Sequence, residues 1–84
     1  MEYPSILDQL TPLLRDVFDN DELVATPELT ASKVPGWDSL GNVRLFLEIE
    51  QVFSMRFGAS EISSLRNVGQ LAELIERKSQ ARNR

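Results

Sequence analysis

The 84-residue sequence contains no cysteine and no histidine. Lacking cysteine, it has neither a disulfide framework nor a thiolate to act as nucleophile or metal ligand. Lacking histidine, it is without the commonest general base and metal ligand. No apolar run approaches the ~20 residues that a membrane-spanning helix needs, and the N-terminus has neither the basic start nor the apolar stretch of a secretory signal. Basic residues are also in deficit: nine Lys and Arg stand against 13 Asp and Glu, a formal charge of -4. A phosphate-backbone ligand calls for a clustered basic face, so nucleic acid is set aside as a partner. These absences lead to the expectation of a cytoplasmic protein, not inserted in a membrane, with no metal site. They also leave it poorly equipped for catalysis, since so small a core hardly encloses a reaction pocket. Any thiol chemistry has to be imported.

What is present is enough for one small core. A chain of this length buries too little apolar surface for two, so residues 1–84 read as a single, monomeric domain, ordered from about 4 to 77, with 78–84 as a frayed basic tail. Ile6, Leu10, Leu13, Leu14, Val17 and Phe18 recur at helical spacing and predict a helix over 4–18. Pro12 lies inside it and predicts a kink; the alternative is a restart with Thr11 as N-cap. Residues 19–38 lose the period and form a long connection anchored by Leu29 and Val34, with Thr30 placed to cap a single turn over Ala31 to Lys33. A second helix starts at Asp38 or Ser39 and runs to about Ser54, with a core stripe of Leu45, Phe46, Ile49, Val52 and Phe53. Ile62 and Leu65 suggest a short turn of helix within 59–65. Asn67 and Gln70 read as a variant capping box opening a last helix that carries Val68, Leu71, Ala72 and Ile75. No segment alternates with period two. The fold class is all-α: three principal helices plus a short helix before the last, and a long loop between the first and second.

Gly36-Trp37-Asp38-Ser39-Leu40 is the segment whose meaning exceeds packing. A glycine ends the loop, and an acid and a hydroxyl fall at the first turn of an amphipathic helix. A phosphodiester on Ser39 would lie beside unpaired backbone N–H groups and the positive end of the helix dipole. Taken alone, Ser39 is equally an N-cap, Asp38 a favourable charge at a helix start, and Trp37 partly buried packing. The acidic run Asp16, Asp19, Asp21, Glu22 and Glu28 reads as a solvated face and loop, with a weak cation site as the alternative.

With this motif the sequence resembles the acyl carrier protein family, whose attachment motif is Asp-Ser-Leu at the start of the second helix. Asp38-Ser39-Leu40 matches it, and the likeness extends through Asp16-Val17-Phe18-Asp19, Ile49-Glu50-Gln51-Val52-Phe53 and Asn67-Val68. The resemblance implies that a phosphopantetheinyl transferase, with its own magnesium, directs the Ser39 hydroxyl at the pyrophosphate of coenzyme A. The resulting covalent 4'-phosphopantetheine arm would end in a thiol and carry acyl groups as thioesters. By the same resemblance Asp38 helps the transferase engage the serine. Leu40, Val43, Arg44, Leu47 and Glu48 would meet partner enzymes, namely an acyl-activating ligase or an acyl synthase or transferase. For Leu40, Val43 and Leu47 the alternative is additional core. The competing functions are an aminoacyl or peptidyl carrier and an unmodified helical interaction domain.

One departure bears on partner choice. General fatty-acid carriers keep acids just after the serine, where this sequence has Gly41 and Arg44, so residues 39–53 carry Glu48 and Glu50 against Arg44. The diluted acidic face points to a specialised lipid or polyketide pathway.

Overall fold

The computed structural model describes residues 3–82. Its helices follow the apolar spacing: α1 covers Tyr3–Val17, α2 Ser39–Phe53, the short α3 Ala59–Ser63 and α4 Val68–Arg82. A single 3-10 turn, Ala31–Lys33, lies in the long connection between α1 and α2. This is the all-α arrangement of three principal helices and a short fourth that the sequence predicts.

α1 buries Ile6, Leu10, Leu13, Leu14 and Val17 and packs against both α2 and α4. It passes through Pro12 as one helix. No restart occurs, because the Thr11 hydroxyl donates back to the Leu7 carbonyl at 3.2 Å instead of capping a new first turn. Pro12 and Asp8 are both exposed, so water can satisfy the Asp8 carbonyl that loses its partner. The helix ends on Asp19 in the left-handed region (φ 50°), with the Asn20 N–H on the Arg15 carbonyl at 3.0 Å.

The long connection is fastened on two sides. Towards α1, Arg15 Nε donates to the Leu23 carbonyl at 2.7 Å and the Ala25 N–H donates to Thr11 Oγ1 at 3.0 Å. Leu23, Ala25 and Val34 are buried, and Leu29 packs half-buried against the same core. Towards α4, the carbonyls of Leu29 and Pro27 accept from the N–H groups of Val68 and Gly69 at 2.9 and 3.0 Å. First-turn amides have no acceptor within their own helix, so the loop acts as part of the cap of α4. Asn67 Oδ1 completes it by accepting from the Gln70 N–H at 2.8 Å. The Gln70 side chain returns to the Arg66 N–H, one residue earlier than a reciprocal capping box requires. Thr30 makes no cap at the 3-10 turn; its hydroxyl pairs with that of Ser32.

α2 turns Leu45, Phe46, Ile49 and Phe53 inward. Val52, expected in that stripe, is 50% exposed. It lies at the stripe's edge in the last turn, and just beyond it Ser54 takes a left-handed conformation (φ 52°) that folds Met55 back into the core. α4 contributes Val68, Leu71, Ala72, Leu74 and Ile75. The tail expected to fray from residue 78 is helical to Arg82. Lys78 is held there: its ammonium lies 3.0 Å from Glu61 Oε1 and 5.3 Å from the centre of the Phe57 ring.

Phe53 belongs to the single cluster that also holds Leu10, Leu14, Leu71 and Ile75. Truncation to alanine is therefore expected to cost about 3–5 kcal/mol, a large part of the stability of so small a domain. Chemical denaturation of Phe53→Ala checks this, and a midpoint close to that of the wild type would show that the cavity collapses without cost.

Candidate functional site

The turn that precedes α2 is built around two glycines. Gly36 has φ +90°, a conformation that a side chain would strain, and it swings the chain back toward the start of α2. Gly41, one turn into the helix, is buried against it. A Cβ on Gly41 would collide with the Gly36 carbonyl oxygen and come within 3.0 Å of the Phe18 ring. Helix and loop backbones thus meet with no room for a side chain between them.

Aromatic and polar contacts fix the same junction. Trp37 stacks on Phe18 with ring centroids 5.3 Å apart and 26° between planes. Its indole N–H donates to Asn42 Oδ1 at 3.0 Å. Asp38, in extended backbone, caps the helix by accepting from the Gly41 N–H at 2.9 Å. The cap is therefore Asp38, which leaves the hydroxyl of Ser39 uncommitted. Ser39 is the first residue of α2 and is exposed, and neither its hydroxyl, its amide nor the Leu40 amide has a partner among the described residues.

Beyond the serine, Leu40, Val43 and Leu47 project to solvent at 70%, 56% and 55% exposure, so they are surface and not additional core. Arg44 is exposed beside them and Glu48 half-buried. Glu50 is turned away, its carboxylate accepting from the Phe57 N–H at 2.9 Å. The outward side of α2 therefore balances Arg44 against Glu48. Position 41 takes no part in that surface. Its lack of an acid is a consequence of packing, which corrects the reading of Gly41 as part of a diluted docking face.

A cavity of about 420 Å³ adjoins the junction. Phe46, Ile62, Leu65 and Leu71 supply its apolar wall, and Trp37, Asp38, Ser39, Asn42, Ser63, Arg66 and Asn67 the polar remainder. Sequence periodicity places Ile62 and Leu65 on one turn but gives no sign that they face Ser39. The short α3 that carries Ile62 and Ser63 buries no residue completely. It is held by Glu61, whose carboxylate accepts from the Gly58 N–H at 2.8 Å and pairs with Lys78. Among the described residues no three Asp or Glu side chains are grouped to hold a metal ion, and no helix is long and apolar enough to cross a membrane.

The head of α2 thus offers an exposed, uncommitted hydroxyl beside an acid already spent on capping. No family model matches the chain. Individual proteins do. It is 30% identical over 76 residues to an acyl carrier protein of Coprothermobacter proteolyticus, covering 90% of this chain and 93% of that protein. It is also similar to the solution structure of holo acyl carrier protein from Geobacter metallireducens, with a TM-score of 0.83 and 42% identity over 92% of this chain and 87% of that one. The chain belongs to the acyl carrier protein family. Proteins of this family are carriers and not catalysts, and they bear phosphopantetheine on a serine.

Two outcomes follow from this geometry. Replacing a helical glycine by alanine ordinarily stabilises by up to about 1 kcal/mol, but at Gly41 the clash with loop backbone reverses the sign. Gly41→Ala is expected to lose about 1–3 kcal/mol, as overpacking does, and to alter the Trp37 fluorescence; a raised melting temperature would refute the close approach. The Glu61 carboxyl is held below the usual carboxylate range, first by the Gly58 N–H and then by Lys78. Its hold on α3 is in place above the ordinary glutamate pKa and is lost as pH falls through the lowered one. Protection of the α3 amides, relative to their intrinsic exchange, should fall over that acidic interval, and Glu61→Gln should flatten the dependence.

Proposed function

We propose that Ser39 is the residue on which this acyl carrier protein holds its 4'-phosphopantetheine arm, and that its partner enzymes belong to a specialised lipid or polyketide pathway. The observation that carries the first part is the uncommitted Ser39 hydroxyl at the head of α2, next to two backbone amides without partners. The residues fit a phosphodiester there. The amides and the helix dipole favour an anion, while Asp38 keeps its own charge occupied with the Gly41 N–H. When attached, the arm supplies the thiol that this cysteine-free chain lacks.

The chain's own part is presentation. The Gly36 turn, the Trp37–Phe18 stack and the Asp38 cap hold Ser39 in an ordered, outward-facing first turn. A phosphopantetheinyl transferase would then meet a hydroxyl that needs no unfolding to react. As the Oγ–P bond forms, the pyrophosphate bond of coenzyme A breaks and the nucleotide half leaves. Asp38 is the residue proposed to engage that transferase. Leu40, Val43 and Leu47 form an apolar strip beside the attachment point, flanked by Arg44 and Glu48, and are proposed to meet the acyl-activating ligase or synthase.

The second part rests on Arg44. An exposed cation on this face repels the basic patches of general fatty-acid synthase enzymes, and such rim charges act chiefly on encounter rate and on the exclusion of wrong partners.

Intact mass after incubation with coenzyme A, magnesium and a broad-specificity transferase tests the attachment. The wild type should gain one phosphopantetheine and Ser39→Ala none. Because Asp38 is the cap, Ser39→Ala should cost less than about 0.5 kcal/mol, whereas Asp38→Ala should cost about 0.5–2 kcal/mol. A modified Ser39→Ala variant would place the arm elsewhere. For the pathway, Arg44→Glu should speed acyl transfer by a general fatty-acid elongation enzyme, with a gain that shrinks as salt rises. Equal rates for wild type and variant would make this an ordinary fatty-acid carrier.

A further inference from the structure

The wall of the cavity beside Ser39 has more hydrogen-bond donors than acceptors to match them. Asn42 spends its side-chain oxygen on the Trp37 indole and Asn67 spends its own on the Gln70 amide, so each leaves an NH2 group over. Ser63 donates to the Ser60 carbonyl and Asp38 accepts from the Gly41 N–H with one of its two oxygens, so the side-chain acceptors that remain are the oxygens of Ser63 and Ser39 and the second Asp38 oxygen, fewer than the N–H groups of Asn42, Asn67 and Arg66. Arg66 lines the same cavity, and the only ion pair among the described residues is that of Lys78 with Glu61. Among those residues the Arg66 guanidinium has no carboxylate partner. Phe46, Ile62, Leu65 and Leu71 form the apolar part of the wall.

A purely hydrocarbon guest would satisfy that apolar portion and leave the donors facing a group that accepts nothing. A guest with an apolar middle and an anionic, acceptor-rich end would satisfy both. We propose that the cavity selects acyl cargo ending in a carboxylate, an ω-carboxyacyl chain, with Arg66 as the specificity-determining residue. This rests on the carrier reading and specifies the cargo of the same site.

The test loads the arm from adipoyl or hexanoyl coenzyme A, so that the two proteins differ only at the chain terminus. Hydroxylamine cleavage of each thioester is followed by intact mass and normalised to the cleavage of the corresponding coenzyme A thioester. The adipoyl thioester should be cleaved about two- to fivefold more slowly, the range that an exposed ion pair supports. That protection should vanish in Arg66→Gln, return in Arg66→Lys and weaken with added salt. Arg66 is exposed, so these variants should fold. Equal protection of the two chains overturns the inference. So does a difference that survives in Arg66→Gln, or a loss in that variant that affects both chains alike, which would assign Arg66 to the arm and not to the cargo. A protein whose mass shifts with neither thioester overturns the carrier reading and this inference with it.

Discussion

The contact between the Gly36 carbonyl and the backbone at Gly41 is the constraint from which the site follows. With α2 pressed this closely onto its preceding loop, the helix has a single available entry. Asp38 then falls where its carboxylate reaches the Gly41 N–H, and Trp37 where it stacks on Phe18 and bonds Asn42. Ser39 is left exposed with its hydroxyl uncommitted. If Ser39 is the attachment residue, as proposed, ordering the turn in advance removes a conformational cost from each encounter with a modifying enzyme.

The same economy governs the long connection. A segment between Phe18 and Asp38 with so little regular structure has many backbone groups to satisfy, and burying them unpaired would be costly. The chain spends them on its neighbours: the Leu23 carbonyl on Arg15, the Ala25 amide on Thr11, the Leu29 and Pro27 carbonyls on the first turn of α4. The loop therefore ties α1 to α4 and takes part in capping the latter. Shortening it would remove acceptors from α4 as well as slack from the connection.

The principal helices and their buried faces were legible in the sequence, because period 3.6 with Leu, Ile and Phe at the inward positions leaves little freedom. Asp-Ser-Leu after a glycine-terminated loop was a local signal as well, and the structure gives its serine an exposed place at the head of α2. Other features depend on contacts between residues far apart in the chain. Gly41 looked like a missing acid because its only reason for being glycine is a carbonyl five residues earlier, brought close by the turn at Gly36. Val52 kept helical phase with the core yet lies outside it, because the left-handed residue Ser54 ends the helix and brings in Met55. The tail at Lys78 appeared free since its partners, Glu61 and Phe57, lie across the bundle. The cavity was invisible for the same reason: its wall gathers a few residues each from the long loop, α2, α3 and the segment that opens α4.

α3 is the element in which these lines meet. It supplies Ile62 and Ser63 to the cavity, yet buries no residue completely and makes no close backbone approach to the other helices. What holds it is the half-buried packing of Ile62 on the core, the partly exposed Glu61–Lys78 pair, the Glu61 bond to the Gly58 amide and the edge-on packing of Phe57 against Phe46. Exposed ion pairs contribute little, so opening this wall costs less than unfolding the bundle. A carrier needs that difference. If acyl cargo shelters beside Ser39, as proposed, it can leave again for each enzyme through a wall that yields while α1, α2 and α4 keep the core that positions the serine.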